Sequence, residues 1–590
     1  MKKAMSEKDI AIYVIPMNDF HGSEYISDYF KLIRYFSGFT GSAGTLVVTQ
    51  EETCLWTDGR YFLQAAEELD GTGILLQKAG EPGVPAVFEY IRSYVENERV
   101  RFFNKVGFDG RLVSASFVNK LKDCMIVTGL DLAGEVWDAD REDKRPLFRQ
   151  QPLWILDEKF AGESVQSKLS HIRKDMKKEG ADSLLLTTPD DIAWLTNLRG
   201  GDISYNPVFL SYMILTETEA VLYTKTEDKT IGDYLSEYGI TKRPYDDFYT
   251  DVSNIDENHV VWVDEMTASY RVVTSIPESC KKLVKINPVI RRKAVKNVTE
   301  VENIKSAHKK DAVAVTKFIY WLKARVCTGE ETVTEITAAE KLEELRKEQK
   351  NYLGPSFAPI VAYGPHGAIV HYSASESTDV LIKKDSFLLV DTGGHYLEGT
   401  TDITRTIAMG NLTKEQKIHY TAVLLGNLRL MNARFKKGLM GANLDYLARE
   451  PLYRLGLDFN HGTGHGVGYL CSVHEAPNAF RMRQDDESVF EEGMVTSDEP
   501  GFYLEDAYGI RLENLIVCVK EKETSYGQFL KFEPLTLVPF DSEAICTDML
   551  TEEDKRLLET YHRSVYEAIS GELNEEERIW LKQVTGEITR

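Results

Sequence analysis

Four carboxylates and one imidazole set the chemistry that this chain can support. Asp391 and Asp402 stand eleven positions apart, His465 follows inside a run of glycines, and Glu499 and Glu513 adjoin the next two strand-like segments, with a turn between them. Oxygens with one nitrogen make a hard-to-borderline donor set, suited to Mn²⁺, Co²⁺ or Zn²⁺. Four carboxylates around a single divalent ion leave negative charge in surplus, so a pair of ions bridged by some of them is the better balanced arrangement. Thiolate chemistry is absent: the seven cysteines are scattered, with no C-x-x-C pair, as suits reduced thiols buried as small apolar fillers.

The surrounding residues say how the chain must bring these groups together. Ser386-Phe387-Leu388-Leu389-Val390 is an apolar strand run that ends in Asp391, Thr392-Gly393-Gly394 turns the chain, and Asp402 sits in Gly399-Thr400-Thr401-Asp402-Ile403-Thr404-Arg405-Thr406. A strand, a turn and a returning strand carry both aspartates to one point. An aspartate at a strand end is by itself more often a turn former than a ligand, so the pair gains weight only from the groups downstream. In His461-Gly462-Thr463-Gly464-His465-Gly466-Val467-Gly468 the glycines allow close backbone approach while two histidines are displayed. Such a run can cradle a phosphate. No Gly-Lys-Ser/Thr follows it and the neighbouring acids oppose an anion, so metal or substrate contact fits better.

The rest of the chain is long enough to scaffold such a site. At 590 residues, with 43% hydrophobic and 28% charged residues, it is expected to fold into three or four domains with sizeable cores. Its formal charge of −23 opposes phosphate backbones and anionic lipid, which excludes nucleic acid and membrane as partners. The run Ala11-Ile12-Tyr13-Val14-Ile15-Pro16 reads as a strand and not as a signal sequence, and no window approaches the roughly 18 apolar residues of a spanning helix, so a cytoplasmic protein is expected. Strand and helix patterns alternate through residues 1–150 up to a charged, proline-containing linker, then restart over 151–297 with a helix carrying Val165, Leu169, Ile172 and Met176 on one face. The two segments share a rhythm but no visible sequence repeat. From 298 a long amphipathic helix is predicted, with Val301, Ile304, Ala307, Val313, Val315, Phe318, Ile319 and Leu322 on its apolar face, and the tail after Thr551 also reads as helical.

In these contexts the ordered set Asp391, Asp402, His465, Glu499 and Glu513 resembles the pita-bread metallopeptidases, and within them the aminopeptidase P group. Further blocks carry the likeness: Gly367-Ala368-Ile369-Val370-His371-Tyr372, Val473-His474-Glu475-Ala476-Pro477, Phe532-Glu533-Pro534-Leu535 and, upstream, Ser23-Glu24-Tyr25-Ile26, Trp56-Thr57-Asp58-Gly59-Arg60-Tyr61 and Ile192-Ala193-Trp194-Leu195. One departure is Asp19-Phe20-His21, where the family often has Asp-Ala-His. The resemblance implies an α/β and α+β protein, with two related N-terminal α/β domains (1–150 and 151–297) before a C-terminal pita-bread, creatinase/aminopeptidase-like catalytic domain (298–590).

It also implies a function. Asp391 would bind one ion, Asp402 and Glu513 would bridge two, and His465 with Glu499 would bind the other, manganese being the usual family metal. A hydroxide shared by both ions would attack the bond before proline, with Glu499 moving the proton, His474 supporting the oxyanion, His371 steadying substrate, His461 bordering the proline pocket and Arg511 orienting the acids. The substrates implied are peptides with an N-terminal Xaa-Pro, and the implied assembly is a homodimer. Three other readings remain at this point. A prolidase would use the same five ligands on dipeptides, a creatinase-like hydrolase would share the fold without metals, and a non-catalytic relative would only bind peptides.

Overall fold

The structure is a computed structural model that describes residues 1–96, 105–121, 123–148, 150–482 and 489–587. The chain forms two compact units. One comprises Met1–Asp157 and Glu163–Ile290, the other Glu158–Gly162 and Arg291–Arg590.

The first unit holds two six-stranded sheets. In chain order the strands of the first are Ile12–Pro16, Thr45–Thr49, Thr53–Thr57, Leu75–Lys78, Lys105–Gly107 and Met125–Val127. Those of the second are Ser183–Leu186, Tyr212–Thr216, Ala220–Thr224, Ile240–Pro244, Val260–Val263 and Lys281–Val284. In both, the spatial order is fourth, third, second, first, fifth, sixth. The directions match as well: the first three strands run as an antiparallel meander, and the fourth, fifth and sixth each join in parallel. The likeness of the two segments is therefore one of topology, and goes beyond the shared rhythm legible in the sequence.

Local signals account for the elements. The helix Val165–Glu179 starts at Ser164, whose hydroxyl accepts from the Ser167 N–H, and stops at Gly180 in the left-handed region, and its predicted face of Val165, Leu169, Ile172 and Met176 is buried. His21, from the departing Asp-Phe-His motif, is a core residue: its ring nitrogens lie 2.8 Å from the Thr187 carbonyl and 2.7 Å from the Tyr245 hydroxyl, which ties the two halves of this unit together.

In the second unit the predicted long helix runs over Val298–Trp321 behind a capping box formed by Asn297 and Glu300. Ile304, Ala307, Val313, Val315, Phe318 and Ile319 are buried on it, and Val301 is half-buried. Two sheets then carry the candidate site. In a three-stranded one, Ile360–Tyr363, Asp385–Thr392 and Ile403–Gly410 lie in that order, antiparallel, with Asp391 opposite Thr404. In a six-stranded one, Asn514–Thr524 pairs with Val495–Asp498, which pairs with Gly464–Gly466. The tail forms two helices, Glu552–Ile569 and Glu575–Val584. Leu558, Tyr561, Val565 and Ile569 are buried on the first of these, whereas Leu573 lies between the two. Among the described residues no helix is long and apolar enough to cross a membrane.

Candidate active site

The convergence expected of Asp391 and Asp402 is present, but the connection is more than a turn: Gly394–Tyr396 and Gly399–Thr400 pair with each other, in a small sheet with Tyr352–Pro355, before the chain returns. Asp391 is the penultimate residue of Asp385–Thr392, and Asp402 directly precedes Ile403–Gly410, so the antiparallel register brings the two strand ends to the same edge. The second sheet supplies the others in the same way. Asp498 pairs with Asn514, so Glu499 and Glu513 stand one step past the paired ends of neighbouring strands, while His465 occupies the middle of Gly464–Gly466. Main-chain bonds fix these ends: the Glu499 N–H donates to the Thr463 carbonyl at 2.8 Å, and the Glu513 N–H to the Thr404 carbonyl at 3.0 Å.

Potential ligand atoms of Asp402, His465 and Glu513 all lie within 4.8 Å of one another. His465 Nε2 is 3.4 Å from an oxygen of Asp402 and 3.6 Å from Oε1 of Glu499. Asp391 joins through Arg511, whose Nη2 donates to its Oδ2 at 2.6 Å. His474 stacks edge-on against His465, ring centroids 4.2 Å apart. His461 is further out, its Nε2 2.8 Å from the Tyr503 hydroxyl, which in turn accepts from Arg511 Nη1 at 2.7 Å. His371 is half-buried in the loop after Gly364–Ala368, next to Val370, whose carbonyl accepts from Arg511 at 3.3 Å.

The electrostatics fit a cation. Asp391 Oδ1 and Glu513 Oε1 are buried and accept no hydrogen bond from the described residues, an arrangement that costs free energy unless something positive meets them. Burial pushes the carboxyls of Asp391, Glu499 and Glu513 above the usual range. At Asp391, Arg511 offsets part of that rise, and at Glu499 His465 and Arg511 do so, whereas at Glu513 the charge of Asp402 adds to it. Burial alone would lower the imidazole of His465, but the hydrogen bond to Asp402 and the charge of Glu499 outweigh it and lift it to about 9. These are the marks of a donor set meant for metal, since an ion in this cluster would replace protons as the counter-charge.

A consequence can be measured. The imidazole of His465, lifted to about 9, carries its proton at neutral pH and must lose it to bind an ion, and the upward shift of the buried carboxyls acts in the same direction, so ion binding must expel protons. Titration of the EDTA-treated protein with Mn²⁺ at pH 7 in two buffers of different ionisation enthalpy should show net proton release, shrinking as the pH rises. Heat independent of buffer would contradict this.

Sequence reasoning missed three side chains. Tyr503 links His461 to Arg511, Thr404 donates its hydroxyl to Glu513 Oε2 at 2.8 Å, and Ser497 accepts from the His465 N–H at 2.9 Å and donates to Glu499 Oε1 at 3.2 Å. A hydroxyl beside a ligand carries no spacing signature. Alternation offered one clue, since Thr404 and Ser497 each lie two positions from a ligand and so share its strand face.

Comparisons with known proteins agree with this geometry. The profile of metallopeptidase family M24 matches residues 302–520, that of the C-terminal region of the M24 peptidases matches 528–588, and two creatinase/prolidase N-terminal domain profiles match 1–139 and 144–300. Xaa-Pro aminopeptidase 1 of Dictyostelium discoideum is 36% identical over 96% of this chain and 92% of its own. A probable Xaa-Pro aminopeptidase P of Botryotinia fuckeliana is 37% identical over 96% of this chain and 88% of its own. The crystal structure of X-prolyl aminopeptidase from Caenorhabditis elegans, described as a cytosolic enzyme with a di-nuclear active site, superposes with a TM-score of 0.93 at 33% identity, covering 98% of this chain and 95% of that one. The Xaa-Pro dipeptidase of Bacillus anthracis, at 26% identity and a TM-score of 0.52, covers 64% of this chain and 99% of its own. On the strength of these full-length likenesses, the chain belongs to the Xaa-Pro aminopeptidase P group of metallopeptidase family M24.

Proposed function

We propose that this protein releases the N-terminal residue from peptides whose second residue is proline, using two divalent ions. The observation that carries the proposal is the convergence of Asp402, His465 and Glu513 within 4.8 Å, with Glu499 and Arg511-bound Asp391 beside them. Asp391 is assigned to one ion, Asp402 and Glu513 to both, and His465 with Glu499 to the other. When bound, such a pair supplies Lewis acidity and lowers the pKa of a coordinated water. Manganese is the metal proposed, with Co²⁺ or Zn²⁺ as substitutes compatible with the same donors.

The side chains divide the remaining work. Glu499 turns Oε1 to Ser497 and His465, and Oε2 is the oxygen assigned to take a proton from the attacking water and return it to the leaving nitrogen. His474, against His465, is assigned to donate to the oxygen that becomes negative as the carbonyl is attacked. His371 steadies the first residue of the substrate. The amide nitrogen before proline carries no hydrogen, so recognition by main-chain bonding fails there and a shaped pocket must replace it. His461, held by Tyr503, is assigned to that pocket, and Arg511 keeps Asp391 and Tyr503 in register with each other.

The proposed domains are 1–150, 151–297 and 298–590, the last carrying the chemistry. A homodimer is proposed for the assembly, and a cytosolic location is supported by the description of the Caenorhabditis elegans enzyme. The activity is tested by offering Arg-Pro-Pro and Ala-Pro to EDTA-stripped enzyme with and without Mn²⁺ and analysing products by mass spectrometry. Free arginine from the tripeptide, restored by Mn²⁺, is expected. Cleavage of the dipeptide alone would make the protein a prolidase, and no cleavage of either with metal bound would make it a binding protein.

A further inference from the structure

Arg405 is almost wholly buried, at 2% exposure, and forms no ion pair among the described residues. Its guanidinium instead meets six neutral acceptors. Nε donates to the Pro539 carbonyl at 3.2 Å, and Nη1 to the carbonyls of Thr404 at 2.9 Å and Glu513 at 2.7 Å. Nη2 is shared among the Asn514 side-chain oxygen at 2.8 Å, the Val538 carbonyl at 2.8 Å and the Tyr561 hydroxyl at 2.9 Å. The plane of this fork lies over the Phe540 ring, 4.3 Å from its centroid.

These contacts join four stretches of chain: the strand of Thr404 and Arg405, Glu513 with Asn514, residues 538–540, and the C-terminal helix that carries Tyr561. Arg405 sits three residues past Asp402, on the strand that Asp402 opens. The Thr404 carbonyl accepts from both the Glu513 N–H and Arg405, and Arg405 then takes the carbonyl of Glu513 itself. With the Thr404 hydroxyl on Glu513 Oε2, the backbone of Glu513 is gripped at both ends and its side chain at one oxygen, always from the strand that follows Asp402. The last stretch is the C-terminal helix Glu552–Ile569. Its Tyr561 accepts from Arg405 and donates to the Val538 carbonyl at 2.8 Å, so the fork cannot swing without breaking a bond to the tail.

We infer that Arg405, locked by Tyr561, is a positioning residue that sets the spacing between Asp402 and Glu513, and so governs whether the site holds a second metal ion. The inference rests on the proposed bridging roles of those two carboxylates. Each ion keeps a ligand of its own, Asp391 on one side and His465 with Glu499 on the other. Looser spacing between the bridges therefore penalises double occupancy more than single. It follows that the C-terminal region takes part in the metal centre although it supplies no ligand.

The test counts ions and does not depend on turnover. The full-length chain, stripped with EDTA, is titrated with Mn²⁺. Bound ions per chain are measured after equilibrium dialysis, and paired ions by the exchange-coupled electron paramagnetic resonance signal. Tyr561→Phe keeps the ring and removes only the hydroxyl. Arg405→Lys keeps the charge but cannot span the acceptors, since an ammonium lacks the planar fork. Two ions are expected for the unaltered protein. In Tyr561→Phe the weaker ion should lose roughly 10-fold in affinity, in Arg405→Lys up to roughly 100-fold, and the tighter ion should change little, as for loss of an outer partner of a metal ligand. Two ions bound with unaltered affinity in both variants, with only the melting temperature lowered, would overturn the inference and leave Arg405 as packing. Equal weakening of both ions would overturn it too. If Arg405→Lys does not fold, Tyr561→Phe decides alone. A single ion in the unaltered protein would instead refute the dinuclear reading beneath it.

Discussion

Asp402→Asn and Glu513→Gln should each strip the protein of bound metal and take hydrolysis of Arg-Pro-Pro to background. Both substitutions preserve shape and remove only charge. Asp402 lies 3.4 Å from His465 Nε2 and shares with it and Glu513 a cluster of ligand atoms no wider than 4.8 Å, so a neutral amide at either acidic position leaves the others facing an ion with too little negative charge. Lewis-acid stabilisation is worth several kcal/mol, and each 1.36 kcal/mol is tenfold in rate, so the loss should be at least roughly 1,000-fold. Relief of like charge acts the other way on the apo-protein. Glu513 is buried and pushed up well above the carboxylate range, in part by Asp402, so Asp402→Asn should fold at least as well as the parent. Metal analysis, the melting temperature of the stripped protein and the rate together separate the cases. Parent-like activity in either variant would remove the dinuclear mechanism.

His474→Ala should behave differently, with kcat lowered on the order of 100- to 1,000-fold at nearly constant metal content, the usual cost of losing one donor to a developing oxyanion. The edge-on contact of its ring with His465, centroids 4.2 Å apart, puts it beside the metal cluster, in reach of a substrate bound there. A group that acts in the transition state lowers kcat and kcat/KM together, whereas one that only binds substrate raises KM. If His474→Ala released an ion, its role would be that of a ligand or of a support for His465. Unaltered kcat with a raised KM would move it to substrate binding.

Much of this site could be read before any coordinate was known, for a physical reason. Asp391 and Asp402 are separated by a turn signal between two apolar runs, and period-2 alternation on both runs leaves few ways to pair them, although the excursion through Gly394–Tyr396 and Gly399–Thr400 was not legible. The observed register, Asp391 opposite Thr404, is one of those few. Long-range pairings were not legible. That the sixth strand of each N-terminal sheet joins the fifth in parallel, and that the two sheets share one strand order, depends on contacts between segments whose sequences have little in common. Tyr503 and Ser497 escaped because tyrosine and serine are common in any core, and only the distance to Arg511 or Glu499 gives them meaning. Tyr561 is an instructive case. The tail read as helical and Tyr561 is buried on that helix, yet its hydroxyl, bonded to Arg405 and Val538, is what ties it to the site.

The glycines around the site have a meaning of their own. A β-carbon on Gly464 would overlap the Ser497 carbonyl, one on Gly466 the Glu475 carbonyl, and one on Gly393 the Thr401 carbonyl, all backbone atoms that cannot step aside. None of these glycines has any chemistry to perform, yet each stands in or beside a segment that carries or adjoins Asp391, Asp402, His465 or Glu499. A map of positions that tolerate no substitution would therefore draw one continuous patch from two causes, exclusion of volume and coordination of metal. Substitution at any of the three glycines would act by displacing the backbone beside the ligands, with every donor still in place.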